Sequence, residues 1–230
     1  MRRVLASAVL LVALAGCGSA GKGTATVWVT RDRGAHVLLV RHVPAGLTAM
    51  QGLMRVAHVQ TRYAGRFVQS IDGVSGSLTR EQDWFYFVNG YEADRGAAEY
   101  RLHPGDVEWW DYRSWKHAEH VPVVVGAFPE PFLHGYDGKR LPAVVLYDDQ
   151  TLAKTARRLG RIIHAENVLH GGSLMQPVNV LEVARGRPGI WVSDQGGGQP
   201  GDPIRIVVSG LGAKLAADPK LVRYRYELLP

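Results

Sequence analysis

Cys17 is the only cysteine in the 230-residue chain, and its position decides what it can do. Leu14-Ala15-Gly16-Cys17 has the form of a bacterial lipobox: small residues for a signal peptidase to grip, then a thiol that takes diacylglycerol at a new, acylatable N-terminus. A lone thiol forms no intramolecular disulfide, so it is free for this use. The second chemistry is aromatic. Trp84, Tyr86, Tyr91, Tyr100, Trp109, Trp110, Tyr112 and Trp115 crowd into one stretch. Most such rings serve to close a small core, but an exposed indole also stacks on flat ligands. Tyr91, Trp109, Trp110 and Trp115 are the candidate ligand-binding residues. Adjacent strand residues point to opposite faces, so one of Trp109 and Trp110 is expected in the core and the other on an outer face or groove.

The remaining polar sets point to structure. His117-Ala118-Glu119-His120 has neither the His-Glu-x-x-His of a zincin helix nor the cysteines of a structural zinc site, and no metal ligands are assigned. Asp148-Asp149 favours a helix N-terminus through the dipole. The loop Gln195-Gly196-Gly197-Gly198 lacks the Gly-Lys-Ser/Thr of a phosphate loop, and His170-Gly171-Gly172-Ser173 has no Gly-x-Ser-x-Gly beside it. Asn89 and Asp106 sit at turns, where they bond nearby backbone. No catalytic constellation emerges, although a missing motif does not exclude an enzyme.

Several elements must position these residues. Trp84, Tyr86 and Val88 alternate with Phe85 and Phe87, the period of a strand whose two faces are both apolar, ended by Asn89-Gly90. Pro104-Gly105-Asp106 turns the chain into a second strand through Trp109 and Trp110. Upstream, residues 26–30 and 36–40 read as a hairpin around Arg31-Asp32-Arg33-Gly34. Thr48-Ala49-Met50-Gln51 has capping-box spacing and opens a helix with Met50, Leu53, Met54 and Ala57 on one face, slightly weakened by Gly52. With a strand from Phe67, the order over residues 24–116 is β-β-α-β-β-β. A second domain, α+β or α/β, is expected over residues 121–230. It has strands at 122–125, 142–147, 178–183, 190–193, 204–208 and 222–228, a helix over 152–166, and a short helix at 212–217. The overall class is α+β.

The ends and the charge place the protein. Met1-Arg2-Arg3 and the short apolar run that follows form a secretory leader over residues 1–16, and residues 17–23 form a flexible tether. Lys and Arg number 27 against 21 Asp and Glu; loss of Arg2 and Arg3 with the leader leaves 25 against 21, a net of +4. That charge does not call for nucleic acid and fits weak attraction to anionic headgroups. The expected location is extracytoplasmic, with the chain held to the bacterial membrane by lipid on Cys17.

Trp84-x-Tyr86-x-Val88-Asn89-Gly90, Ala98, Tyr100-x-Leu102, Gly105-Asp106 and Trp110-x-Tyr112 together resemble the transcobalamin-like C-terminal domain. That domain is a β-grasp module found in animal cobalamin carriers and in secreted or lipid-anchored bacterial proteins. Residues 67–74 also fit the strand before this signature, and the resemblance covers residues 24–115. It implies a β-grasp fold for the first domain, and cobalamin or another corrinoid as ligand. Cobalt in a corrinoid takes one imidazole as axial ligand, and nine histidines leave that choice open. In the animal carriers cobalamin lies between this domain and a large helical barrel, for which this chain has no sequence. Two functions are therefore expected of it: a lipid-anchored, non-catalytic binding protein that hands a small ligand to a membrane transporter, or a surface module that contacts a protein or glycan. A pocket between the domains with an exposed Trp inside favours the first, and a flat exposed aromatic patch favours the second.

Overall fold

The computed structural model describes residues 23–172, 174, 176–193 and 198–229. The leader, Cys17, the tether up to residue 22, Ser173 and residues 194–197 of the glycine-rich loop lie outside the described residues.

The β-branched runs form β1 (Thr24–Arg31) and β2 (His36–Pro44), paired antiparallel from Thr24 against Pro44 to Arg31 against His36. Thr48 then caps α1 (Ala49–Met54) with both bonds of the capping box: Gln51 N donates to Thr48 Oγ1 at 3.2 Å, and Thr48 N donates to Gln51 Oε1 at 3.0 Å. The helix is shorter than its apolar pattern. It buries Ala49, Met50 and Leu53 but ends at Met54, which faces solvent.

Gly52 lies on the buried side of α1, where a Cβ would stand 2.8 Å from Leu102 Cδ1 and 2.9 Å from Glu108 Oε2. Helix propensity alone favours alanine there by about 1 kcal/mol. Crowding in a filled core costs roughly 1–3 kcal/mol and outweighs it. Gly52→Ala is therefore expected to lower the urea midpoint; an unchanged or raised midpoint would show that Leu102 and Glu108 yield freely.

After α1 the chain forms β3 (Val59–Arg62), β4 (Phe67–Ile71) and β5 (Val74–Ser75), a separate three-stranded sheet. Asp72 and Gly73, both at positive φ, fold β4 back onto β5, which takes a bond from the Trp84 indole at Val74 O and one from the Tyr112 hydroxyl at Ser75 O. Thus the strand that starts at Phe67 leaves the main sheet. That sheet is completed by β6 (Gln82–Val88), β7 (Tyr91–Glu92) and β8 (Val107–Ser114) in the order β2-β1-β8-β6-β7, with β1 and β8 parallel at its centre. Two outer hairpins around a central parallel pair make a β-grasp arrangement. Asn89 and Gly90 have φ of 51° and 91° and end β6 as their types require. Asn89 Nδ2 donates to Asp106 Oδ1 at 2.7 Å, joining the turn that ends β6 to the turn that begins β8.

The second half contains α2 (Glu130–Leu133), β9 (Ala143–Tyr147), α3 (Ala153–Ile162), β10 (Asn167–His170), β11 (Asn179–Ala184), β12 (Gly189–Val192), β13 (Arg205–Ser209) and α4 (Gly212–Ala217). Its sheet runs β10-β9-β11-β13-β12, parallel except for the edge strand β12. Ala156, Leu159 and Ile163 seat α3 on this sheet, as their spacing implies. Two expected strands are absent. Residues 122–125 run beside β7 with Val124 N donating to Gly90 O, then tighten into a 3-10 turn at Val125–Ala127. Residues 222–228 are interrupted by Tyr224 at φ 64° and keep one bridge, Leu228 with Ile190.

Candidate functional site

Alternation along β8 sends Val107, Trp109 and Asp111 to one face of the main sheet and Glu108, Trp110 and Tyr112 to the other. The second face lies under α1 and the small β3–β5 sheet. The first is covered by Val124, Ala127 and Tyr226 from the far half of the chain. Trp109 and Trp110 are consequently both buried, at 0% and 3% exposure; one was expected in the core and the other on an outer face or groove, and Trp110 does line a hollow. Residues 124–127 and 226 supply a lid that no local pattern announces.

Trp109 lies among Trp28, Phe87 and Tyr226 with ring centroids 5.9, 5.7 and 5.6 Å away, and its Nε1 donates to Thr30 Oγ1 at 2.7 Å. Next to it, Asp111 accepts from the Thr30 hydroxyl at 2.5 Å, from the backbone N–H groups of Arg33 and Gly34 at 3.1 Å each, and from the Tyr226 hydroxyl at 3.0 Å. Burial pushes the Asp111 pKa up, opposed by these donors. One carboxylate thus ties the β1–β2 turn, the centre of the sheet and the C-terminal segment together.

On the opposite face Trp110 stacks on Tyr86 at 4.8 Å and 19°, and its Nε1 donates to Glu108 Oε1 at 2.6 Å. Glu108 is fully buried and its Oε2 has no hydrogen-bond partner. Burial raises its pKa well above the ordinary 4.5. A carboxyl with a raised folded pKa stabilises the fold below its unfolded pKa, and that contribution is lost as pH climbs through the folded value. Glu108→Gln, neutral at every pH, is expected to be more stable than the parent above neutrality by roughly 1–3 kcal/mol. The two should converge below about pH 4.5. Parallel stability curves across the range would show that Glu108 does not titrate in the folded chain.

The four candidate ligand residues do not converge. Tyr91 is 1% exposed and packs on Tyr136, so it and Trp109 are core. Trp115 is half-buried just past β8, its N–H bonded to Glu81 O at 2.9 Å. Trp110 lines an open hollow of about 210 Å³ with Arg66, Phe67, Trp84, Tyr86 and Glu92. His117 and His120 are exposed in the link, and His120 Nδ1 lies 3.9 Å from Glu92 Oε2.

A different concavity lies between the two halves. Val121, Pro122, Val123, Val192, Ile204 and Tyr226 wall an apolar crevice of about 260 Å³, with Ser193, Glu227 and Arg33 supplying polar groups. The Arg33 guanidinium sits 4.5 Å over the Tyr226 ring. A neighbouring hollow that shares Pro122 with this crevice also shares Glu92 and Ala93 with the Trp110 hollow. A line of concavities with common walls therefore follows the seam. Apolar walls with a few polar groups suit capture of a small, largely apolar ligand. Sequence reasoning misses this crevice because its walls come from the β1–β2 turn, the link, β12, the approach to β13 and the C-terminal segment. Only the Pro122 and Val123 run hinted at burial there.

No curated protein matches the chain. The family described as Domain of unknown function (DUF4430) matches residues 46–114, from just before α1 to the end of β8. A candidate metal binding protein from Ruminococcus gnavus ATCC 29149 is 16% identical over 40% of this chain and 98% of its own, with a TM-score of 0.33. Haptocorrin in complex with Cbi is 14% identical over 39% of this chain, also with a TM-score of 0.33, and only 24% of haptocorrin's own length is covered. The first half of the chain is thus similar to a family of undescribed function.

Proposed function

We propose that this is a lipid-anchored, extracytoplasmic binding protein, non-catalytic, in which a β-grasp domain and an α/β-type domain hold a small ligand in the crevice between them. The observation that carries the reading is the apolar crevice itself, walled from both halves. The lipobox at Cys17 supports the anchor, and the transcobalamin-like signature around Trp84–Tyr112 supports a corrinoid as the ligand to try first. A corrinoid is far larger than a 260 Å³ crevice, which would take one amide arm or ring edge. The rest of the molecule would stay open for transfer to a membrane transporter.

Tryptophan fluorescence of the chain from residue 18 onward, titrated with cobalamin, cobinamide and a porphyrin and corrected for inner-filter absorption, tests this. Saturable quenching by the corrinoids alone supports capture of that class. Quenching that is linear for all three retires it.

One observation favours a surface-contact module as the second reading. Tyr63 and Phe67, 75% and 41% exposed, pair edge-to-face at the tip of the β3–β4 hairpin. Retention of one cell-envelope protein by the parent chain, lost with Tyr63→Ser, would support that reading.

A further inference from the structure

Helix α3 carries Lys154, Arg157, Arg158 and Arg161, and all four are exposed. Their spacing of three, four and seven residues gathers them into one stripe, directly opposite the buried Ala156, Leu159 and Ile163. His164, exposed just past the helix end, continues the line. Like charges three and four residues apart weaken a helix, and α3 contains no acid to relieve them. Among the described residues, no carboxylate comes within 4.0 Å of any of the four. Beside the stripe the surface is dented. Arg157, Gly160, Arg161, His164, Ala165 and Val168 line an open hollow of about 410 Å³. Gly160 shapes it, because a Cβ there would stand 2.8 Å from Val168 Cγ2 and force the helix away from β10.

We infer that the outward face of α3 is a docking surface for an anionic phospholipid membrane, with Arg157, Arg161 and His164 around a headgroup phosphate. Charge complementarity identifies the partner: a straight row of permanent cations matches a flat, diffuse negative surface. The stripe holds no aromatic ring on which a base could stack, which sets it apart from single-stranded nucleic acid sites. The inference goes beyond the ligand crevice and does not depend on it.

The test is sedimentation of the chain from residue 18 onward, which keeps every described residue and lacks the lipid, with vesicles of phosphatidylglycerol in phosphatidylcholine. Each basic residue near such a surface contributes roughly a fivefold factor, so Arg157→Gln/Arg158→Gln/Arg161→Gln should bind on the order of 100-fold more weakly. Its melting temperature should match or exceed the parent's, because repulsion is relieved. The triple Arg→Lys variant, which keeps the charge, should bind like the parent. Arg62→Gln/Arg66→Gln/Arg80→Gln, an equal charge change elsewhere, should bind within about threefold of it. Equal loss in both Gln variants would overturn the inference, as would equal binding to pure phosphatidylcholine. Release by inorganic phosphate at constant ionic strength would mark a discrete phosphate site instead, and tighter binding to duplex DNA than to vesicles would mark a nucleic acid face; either result also overturns it.

Discussion

Asp111→Ala is expected to cost roughly 3–5 kcal/mol in urea unfolding, one of the two largest losses foreseen for a single change in this chain. The carboxylate accepts four bonds in a site with no solvent access: Thr30 and Tyr226 hydroxyls, and the N–H groups of Arg33 and Gly34. Alanine leaves those donors facing an empty space, and a buried donor without an acceptor costs its full desolvation penalty. Tyr226→Phe removes only one of the four and should cost about 0.5–1.5 kcal/mol. Because the bonds join β1, the β1–β2 turn and the C-terminal segment, Asp111→Ala should also speed hydrogen exchange at Val125 N–H, which donates to Tyr226 O at 3.1 Å. A loss below about 1 kcal/mol would mean that water enters and satisfies the donors, and that the tie between the halves is not this carboxylate.

Trp109→Ala is expected to cost a similar 3–5 kcal/mol, by a different route. The indole is fully buried where the sheet meets its lid, and its removal opens a cavity bounded by Trp28, Phe87 and Tyr226. These rings are held by edge and tilted contacts that need a partner on each side. Gly126 reports how tight the site is, since a Cβ there would stand 2.9 Å from the Trp109 ring and 2.5 Å from Arg225 O. Thr30 is shared, accepting from Trp109 Nε1 and donating to Asp111, so the two substitutions should be less than additive. Strict additivity in the double variant would show that Thr30 does not couple them.

What was legible in the sequence was what neighbours decide. Thr48 with Gln51, the alternation through residues 84–88, and the left-handed pair Asn89-Gly90 all act within a few positions, and each formed the feature its chemistry requires. Asn89 and Asp106 likewise hold turns, bonded to each other and to backbone. The β-grasp order followed from those pieces. Features set by distant segments were not legible. Gly52 read as a weak helix residue, yet Leu102 and Glu108 arrive fifty positions later and leave no space for a side chain. Met54 fits the apolar face by spacing, but the helix stops before that face can bury it. Trp109 and Trp110 read as one core ring and one on an outer face or groove; residues 124–127 and 226 cover Trp109, while Trp110 is buried on the opposite face, where it lines a hollow. The crevice draws on at least four separated segments, so no motif could have marked it.

The crevice reading is tested most directly by one paired titration. Val192 is a partly exposed wall residue of the crevice, so Val192→Phe fills the space without deleting a core side chain. The account predicts saturable corrinoid quenching by the parent and at least tenfold weaker binding by Val192→Phe, with the melting temperature within a few degrees of the parent. Equal affinity in the two proteins would contradict it, because a ligand indifferent to a filled crevice does not bind there.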